Sequence, residues 1–164
     1  MQFFPATEYQ QNATELFEKY KSEILSLTPN AIVEHIGSSA IPHAISKGDL
    51  DIYIEVPAQQ FSRTIEQLKT LGFKEKLNTL RTDELCMLES QASDEDVAFQ
   101  IVVTGSKFTN FLIFRDRLRN SAQLVHQYNK LKENCMGLSP DEYRQIKAEF
   151  IDRVLTRSEE HTSE

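Results

Sequence analysis

Cysteine is scarce in this chain. The 164 residues contain two, Cys86 and Cys135, far apart and in no CxxC pair, which argues against a metal cluster and for reduced, buried thiols. Long apolar runs are missing too. No stretch approaches the length of a membrane span, and no apolar segment follows a basic one at the amino terminus, so neither an anchor nor a leader is expected and the protein reads as cytoplasmic. Positive charge is in deficit: 18 Lys and Arg stand against 25 Asp and Glu, a formal net charge of −7. That excludes wholesale binding of extended nucleic acid, although a local basic patch can still grip a nucleotide. Repeats and biased linkers are absent. What is present is 40% hydrophobic content, enough for one core without disulfides or structural metal. A single domain over 1–157 is expected. The polar SEEHTSE at 158–164 has no apolar residue to anchor it and is expected to be a disordered tail.

Periodicity supplies the element order. Tyr9, Ala13, Leu16, Phe17, Tyr20, Ile24 and Leu27 recur at helical spacing behind a Thr7-x-x-Gln10 capping box. Strand Ala31–Ile36, a short helical connector near Ser39–Ser46 and strand Asp49–Val56 follow, the last stopped by Pro57. A helix over Gln59–Leu71 ends at Gly72, where a left-handed cap suits glycine. Strands near Thr79–Leu88 and Val97–Val103 are joined by the acidic loop Ser93–Asp96. Three helices close the chain: an aromatic-rich one over Lys107–Leu118, one capped through Asn120-x-x-Gln123, and one started by Ser139-x-x-Glu142 with Pro140 at its first position. The order predicts an α+β fold, a mixed β-sheet flanked by helices with a C-terminal helical segment.

The chemistry concentrates in the run HIGSSAIPHAISKGDLDIYIEV from His35. Strand alternation puts Leu50, Ile52, Ile54 and Val56 on one face and Asp49, Asp51, Tyr53 and Glu55 on the other. Two carboxylates on one face at a strand's start repel unless a cation lies between them, and Mg²⁺ favours one or two carboxylates plus phosphate oxygens. Gly37 and Ser38 form a turn that offers a backbone amide and a hydroxyl to such phosphates. A half-exposed strand beside a turn shows the same alternation without any function. Further on, Tyr128 and Lys132, and Tyr143 and Lys147, are four apart on successive helices, so each tyrosine lies beside its lysine. By spacing alone they read as core tyrosines carrying snorkelling lysines. Arg115 and Arg119 share that spacing, as an anion site or a solvated face. Lys47 either positions an anion near Asp49 or pairs with it.

Strand, glycine-serine turn, connector and DxD strand together resemble the nucleotidyltransferase superfamily. His35, Gly37, Ser38, Ser39, Pro42, Lys47 and Asp51 resemble, more narrowly, the GrpB (UPF0157) family. So do FRDRLR from Phe114, Tyr128 through Lys132, Tyr143 through Lys147, and Phe150-Ile151 in the closing helices. The resemblance implies a nucleotidyltransferase-like domain in which Asp49 and Asp51 are the catalytic and metal-binding pair for Mg²⁺. It implies that Gly37, Ser38, Ser39, Lys47, Lys132 and Lys147 bind a nucleoside triphosphate. A lysine for the triphosphate and a ring for the base is what the resemblance to nucleotidyltransferases implies for the Tyr128–Lys132 and Tyr143–Lys147 pairs. Three positions depart from it: His43 stands where relatives often have glycine, Asp49 where many have an apolar residue, and Gln100 at the centre of the strand expected to carry a third carboxylate. Asp96 and Glu89 are the substitutes in view.

Three functions follow as expectations. The first is Mg²⁺-dependent transfer of a nucleoside monophosphate to an unknown acceptor, small molecule or protein. The second is a catalytically weak nucleotide-binding or accessory module, in line with the family's occurrence as an accessory domain attached to a coenzyme A biosynthesis kinase. The third is a metal-dependent phosphohydrolase using the same carboxylates on water.

Overall fold

Alternating apolar residues place β2 (Leu50–Val56) and β5 (Val97–Val103) at the centre of a five-stranded sheet, because both present one face to a fully apolar core. The computed structural model describes residues 2–162, with side chains through Thr156. Around that pair stand α1 (Ala6–Leu27), β1 (Ile32–Ile36), α2 (Phe61–Lys69), β3 (Phe73–Glu75), β4 (Leu85–Ser90), α3 (Asn110–Arg119), α4 (Ala122–Asn134) and α5 (Pro140–Thr162). The strand order is β1-β2-β5-β4-β3, with β2 and β5 parallel and every other pair antiparallel. The expected mixed sheet flanked by helices is therefore present.

The two faces of the sheet do different work. Leu50, Ile52, Ile54, Val56, Phe99 and Ile101 join Phe17, Tyr20 and Ile24 of α1 and Phe61, Ile65 and Leu68 of α2 in the main core. On the opposite face, Ile36, Tyr53, Leu85 and Val102 pack under Phe108, Phe111 and Leu112 at one end. Asp51 emerges on that face directly opposite Ile36, against Gly37, where the connector between β1 and β2 begins. A third apolar cluster joins Ile41 and Ala44 of this connector to Leu118, Val125, Tyr128, Phe150 and Val154 of the closing helices.

Several boundaries differ from the expectation. Helix α1 begins one residue before Thr7 with no side-chain cap, and Gln10 turns instead to the Ile41 carbonyl at 2.9 Å. Strand β3 has no counterpart in the sequence reading, being three residues long on the sheet edge. Residues 79–84 are loop rather than strand: the Thr82 hydroxyl accepts from the amides of Glu84 and Leu85, which makes a turn. The connector holds only a 3-10 turn, Ser38–Ala40, not a helix. Ser121, one residue after the expected Asn120, caps α4 by accepting from Leu124 N. The third start is as read, with Ser139 accepting from Glu142 N at 3.2 Å and bonding its carboxylate. The expected tail at 158–164 falls on residues whose side chains lie outside the described ones; the α5 backbone continues to Thr162.

His43 has φ +66°. The connector thus makes a left-handed turn at a residue other than glycine, and the imidazole-bearing Cα meets the steric cost of that region. His43→Gly is expected to stabilise the fold by about 0.5–1 kcal/mol, the relieved strain being partly offset by added unfolded-state entropy. A raised urea midpoint at unchanged m-value checks this.

Candidate functional site

Beyond the Phe4–Ser46 bridge and a few turn bonds, the connector from Gly37 to Asp49 has little backbone pairing, so most of its carbonyls need other partners. Side chains from the helices supply them. Arg119 donates to Ala40 O, Gln10 to Ile41 O, Asn129 to His43 O, Tyr9 to Ala44 O and Lys132 to Ile45 O, at 2.6–2.9 Å. Asn129 also accepts from Ile45 N at 2.9 Å, closing a two-point clamp on the connector. Helices α1, α3 and α4 thereby hold the turn against the start of β2.

Gly37 closes β1 with φ +75°, and a Cβ there would lie 2.5 Å from Asp51 Oδ2. The close approach of the Asp51 carboxylate, together with the left-handed backbone, requires glycine. Asp51 pairs with Ile36 across β1 and with Ala98 across β5, on the sheet face away from α1 and α2. Asp49 precedes the strand and accepts a 3.4 Å hydrogen bond from Ser46 Oγ, which itself accepts from Gly48 N. The Asp51 carboxyl is held well above the usual carboxylate range, first by desolvation and then by the charge of Asp49, with Lys147 and Lys76 opposing. Asp96 is raised for the same two reasons, opposed by Lys47 and Lys76. The aspartates therefore form one crowded acidic locus that gains from a bound cation.

Beside it lies Lys132. Its Nζ donates to Ser38 Oγ and Ile45 O and stands 4.0 Å from the Tyr128 ring centroid, with 1% of the residue exposed. Its ammonium has no carboxylate within ion-pairing distance among the ion pairs of the described residues. Burial and the neighbouring Lys147 pull it down to about 7. Lys147 moves the other way, held above the lysine range by Tyr128 foremost and then by Tyr143, Asp51 and Asp49. Lys47 is exposed at the rim, its Nζ 5.9 Å from the Tyr143 ring centroid.

Gly37, Ser38, Asp49, Asp51, Lys132 and Lys147 thus converge, with Lys47 at the edge. Ser39 does not join them. Its hydroxyl is buried under the turn, 2.8 Å from His35 Nε2, and His35 is stacked on Phe17 and pushed down to about 4 by burial, aided by Arg119 and Arg115. That pair braces the turn from behind. Arg115 and Arg119 are also structural: Arg115 bonds Glu34, Asp116 and His35 O.

Register sets Gln100 one pair away from Asp51 on the same face. It pairs with Tyr53, whereas Ala98 lies opposite Asp51 and is flanked on its other side by Glu89 of β4. Among the described residues no three His, Cys, Asp or Glu side chains form a ligand set for a metal. The donor set offered to Mg²⁺ is therefore Asp49 and Asp51, which fits an ion that completes its shell with phosphate and water. Sequence reasoning missed Asn129 and Ser46. The signal for Asn129 was a poor helix former inside a helix; Ser46 had none.

This fold is that of the nucleotidyltransferase-like proteins. It superposes on the Cid1 poly(U) polymerase solved with MgGTP at a TM-score of 0.54 and 14% identity, over 78% of this chain and 42% of that one. Residues 6–157 match the family described as GrpB protein, and the chain belongs to the GrpB family. A UPF0157 protein of Vibrio cholerae is 54% identical over 155 residues, covering 94% of this chain and 82% of that one. Another from Deinococcus radiodurans is 29% identical over 147 residues, covering 88% and 76%. The crystal structure of GrpB from Enterococcus faecalis superposes at a TM-score of 0.78 and 20% identity over 99% of this chain and 100% of that one. Among the described residues no helix is long and apolar enough to cross a membrane.

Proposed function

We infer that this protein binds a magnesium-nucleoside triphosphate and transfers its nucleoside monophosphate to an acceptor, small molecule or protein. The observation that supports this best is Lys132, a buried lysine hydrogen-bonded to the turn serine beside the Asp49–Asp51 locus. Burying an ammonium with no carboxylate is costly, and a phosphate is the counter-charge that offsets it. Asp49 and Asp51 would hold Mg²⁺, which when bound would supply positive charge to offset that developing on the leaving pyrophosphate. Ser38 Oγ, the Gly37 amide and Lys132 orient the phosphates, and Lys147 adds a fixed positive charge near both aspartates. An acceptor oxygen or nitrogen bonds to the α-phosphorus while the bond to pyrophosphate breaks. Asp96, just before β5 and close enough for its charge to bear on both Asp49 and Asp51, is the further carboxylate placed to take the acceptor's proton.

A second reading, a nucleotide-binding accessory module without turnover, is favoured by Ala98 itself, since no acid stands beside Asp51 on β5. Incubating the purified protein with each labelled nucleoside triphosphate and Mg²⁺, with and without cell extract, separates the two. Label retained on an acceptor with pyrophosphate released supports transfer. Saturable Mg²⁺-dependent binding without product supports the module, and absence of both defeats the nucleotide reading. Ala98→Asp is expected to tighten Mg²⁺ binding in the presence of ATP by about tenfold, the net of added attraction and carboxylate repulsion. It should also raise any transfer rate, whereas Gln100→Glu, beside Tyr53, should do neither. Calorimetry and pyrophosphate release check both variants.

A further inference from the structure

The residues before α1 reach the site. Phe4 forms an antiparallel bridge with Ser46, Phe4 N donating to Ser46 O at 2.6 Å and Ser46 N to Phe4 O at 3.0 Å. Ser46 is the residue that bonds Asp49, so the amino-terminal segment is stitched onto the acidic end of the pocket. The bridge fixes Phe3. Its ring centroid lies 5.9 Å from that of Tyr143, tilted by 54°, and 6.0 Å from Lys132 Nζ. Tyr143 is buried, whereas Phe3 is only half-buried and keeps part of its ring open.

Phe3 therefore stands beside Lys132, while its neighbour Phe4 holds Ser46 and through it the Asp49 side of the site. At 5.9 Å with tilted planes, Phe3 and Tyr143 already touch, so nothing slides between them. A flat ligand group can only lie on the outer face of Phe3, with Tyr143 backing the ring. A nucleotide whose phosphates engage Lys132 carries its nucleoside within reach of that face.

We propose that Phe3 is the stacking platform for the nucleobase, so that the pocket takes nucleoside triphosphates by ring area, purines ahead of pyrimidines, rather than by base-edge hydrogen bonds. This rests on the nucleotide reading above. Stacking of a base on an aromatic ring is tolerant of base identity and scales with overlap, which is why a half-exposed ring gives preference by size. The platform belongs to the segment before α1, not to the closing helices that carry the paired tyrosines and lysines.

The test compares MgATP, MgUTP and Mg-tripolyphosphate by calorimetry on the full chain, in wild type, Phe3→Leu and Phe3→Tyr. Leucine keeps apolar cover over Lys132 and removes the ring; tyrosine keeps the ring. Wild type is expected to bind MgATP several-fold more tightly than MgUTP, and both more tightly than Mg-tripolyphosphate. Phe3→Leu should weaken MgATP about five- to tenfold, the lower part of the range for losing one base stack. It should abolish the ATP-over-UTP preference and leave Mg-tripolyphosphate within twofold, while Phe3→Tyr behaves as wild type. Equal weakening of MgATP and Mg-tripolyphosphate in Phe3→Leu would show that Phe3 only covers Lys132 and braces Ser46. Unchanged MgATP binding in that variant, or wild type binding all three equally, overturns the platform while the phosphate reading stands. If wild type binds none of the three, the nucleotide reading fails and takes this inference with it.

Discussion

Gly37→Ala is expected to cost at least tenfold in Mg²⁺-dependent nucleotide affinity and about 1–3 kcal/mol in stability. The added Cβ would meet Asp51 Oδ2 at 2.5 Å, and φ +75° disfavours alanine on its own account. One of two things must move. If the turn yields, Ser38 and its bond to Lys132 shift; if the carboxylate yields, Asp51 rotates off the position it shares with Asp49. Either way the phosphate and metal halves of the site lose their mutual placement. Urea unfolding reads the stability loss, and titration with Mg²⁺ and ATP reads the affinity. An alanine variant that binds MgATP as wild type does would show that the Gly37–Asp51 contact has no part in the site.

Lys132→Met is expected to separate stability from binding. The native ammonium is held down to about 7, against about 10.4 in an unfolded chain. As pH falls from the unfolded value toward 7, the unfolded chain binds a proton that the folded one refuses, so stability declines across that window and is constant below it. The penalty at neutral pH is about 4 kcal/mol on this bookkeeping. Methionine removes it but leaves Ile45 O and Ser38 Oγ without their donor, a loss of about 1–3 kcal/mol. The variant should therefore be the more stable protein at pH 6–7 and the less stable one near pH 10. Its affinity for Mg-tripolyphosphate should fall about tenfold or more, as one charge-assisted hydrogen bond is lost. Urea unfolding at several pH values, with parallel calorimetry, checks the crossing. A variant less stable than wild type at every pH would mean that the lysine is not strained in the folded chain.

The central strands were legible because each is one alternating run with a buried face: Leu50 to Val56 and Val97 to Val103 follow the side-chain period, and Pro57 ends the first. The same alternation put Asp51 on the polar face, and Gly37-Ser38 fell where a turn had to be. Lys132 and Lys147 were legible as helix-face neighbours of tyrosines, but which of the two would be buried was not, since that depends on where α4 meets the connector. Pairing across strands left no trace in the sequence. Gln100 looked central because it is the middle residue of β5, yet only the register with β2 shows that Ala98 faces Asp51. Ser39 entered the site through the GrpB resemblance, whereas the tight turn sends its hydroxyl inward to His35. β3 is too short to declare a period, and the strand expected from Thr79 was undone by the Thr82 turn.

The clamps on the connector also fix when the site can exist. Asn129 and Lys132 reach His43, Ile45 and Ser38 across sequence separations of 84–94 residues, and contacts so distant form late because they must first repay a long loop closure. During synthesis the amino-terminal portion emerges first, so β1, β2 and the aspartates are exposed to the cell well before the helix that completes their pocket. On the proposed function, a nascent chain carries the acidic pair with no phosphate seat, and capture of nucleotide would begin only once α4 has docked. Loosening α4 in the finished protein would reverse that last step, so affinity would be set by the docking equilibrium of one helix as much as by the residues that touch the ligand.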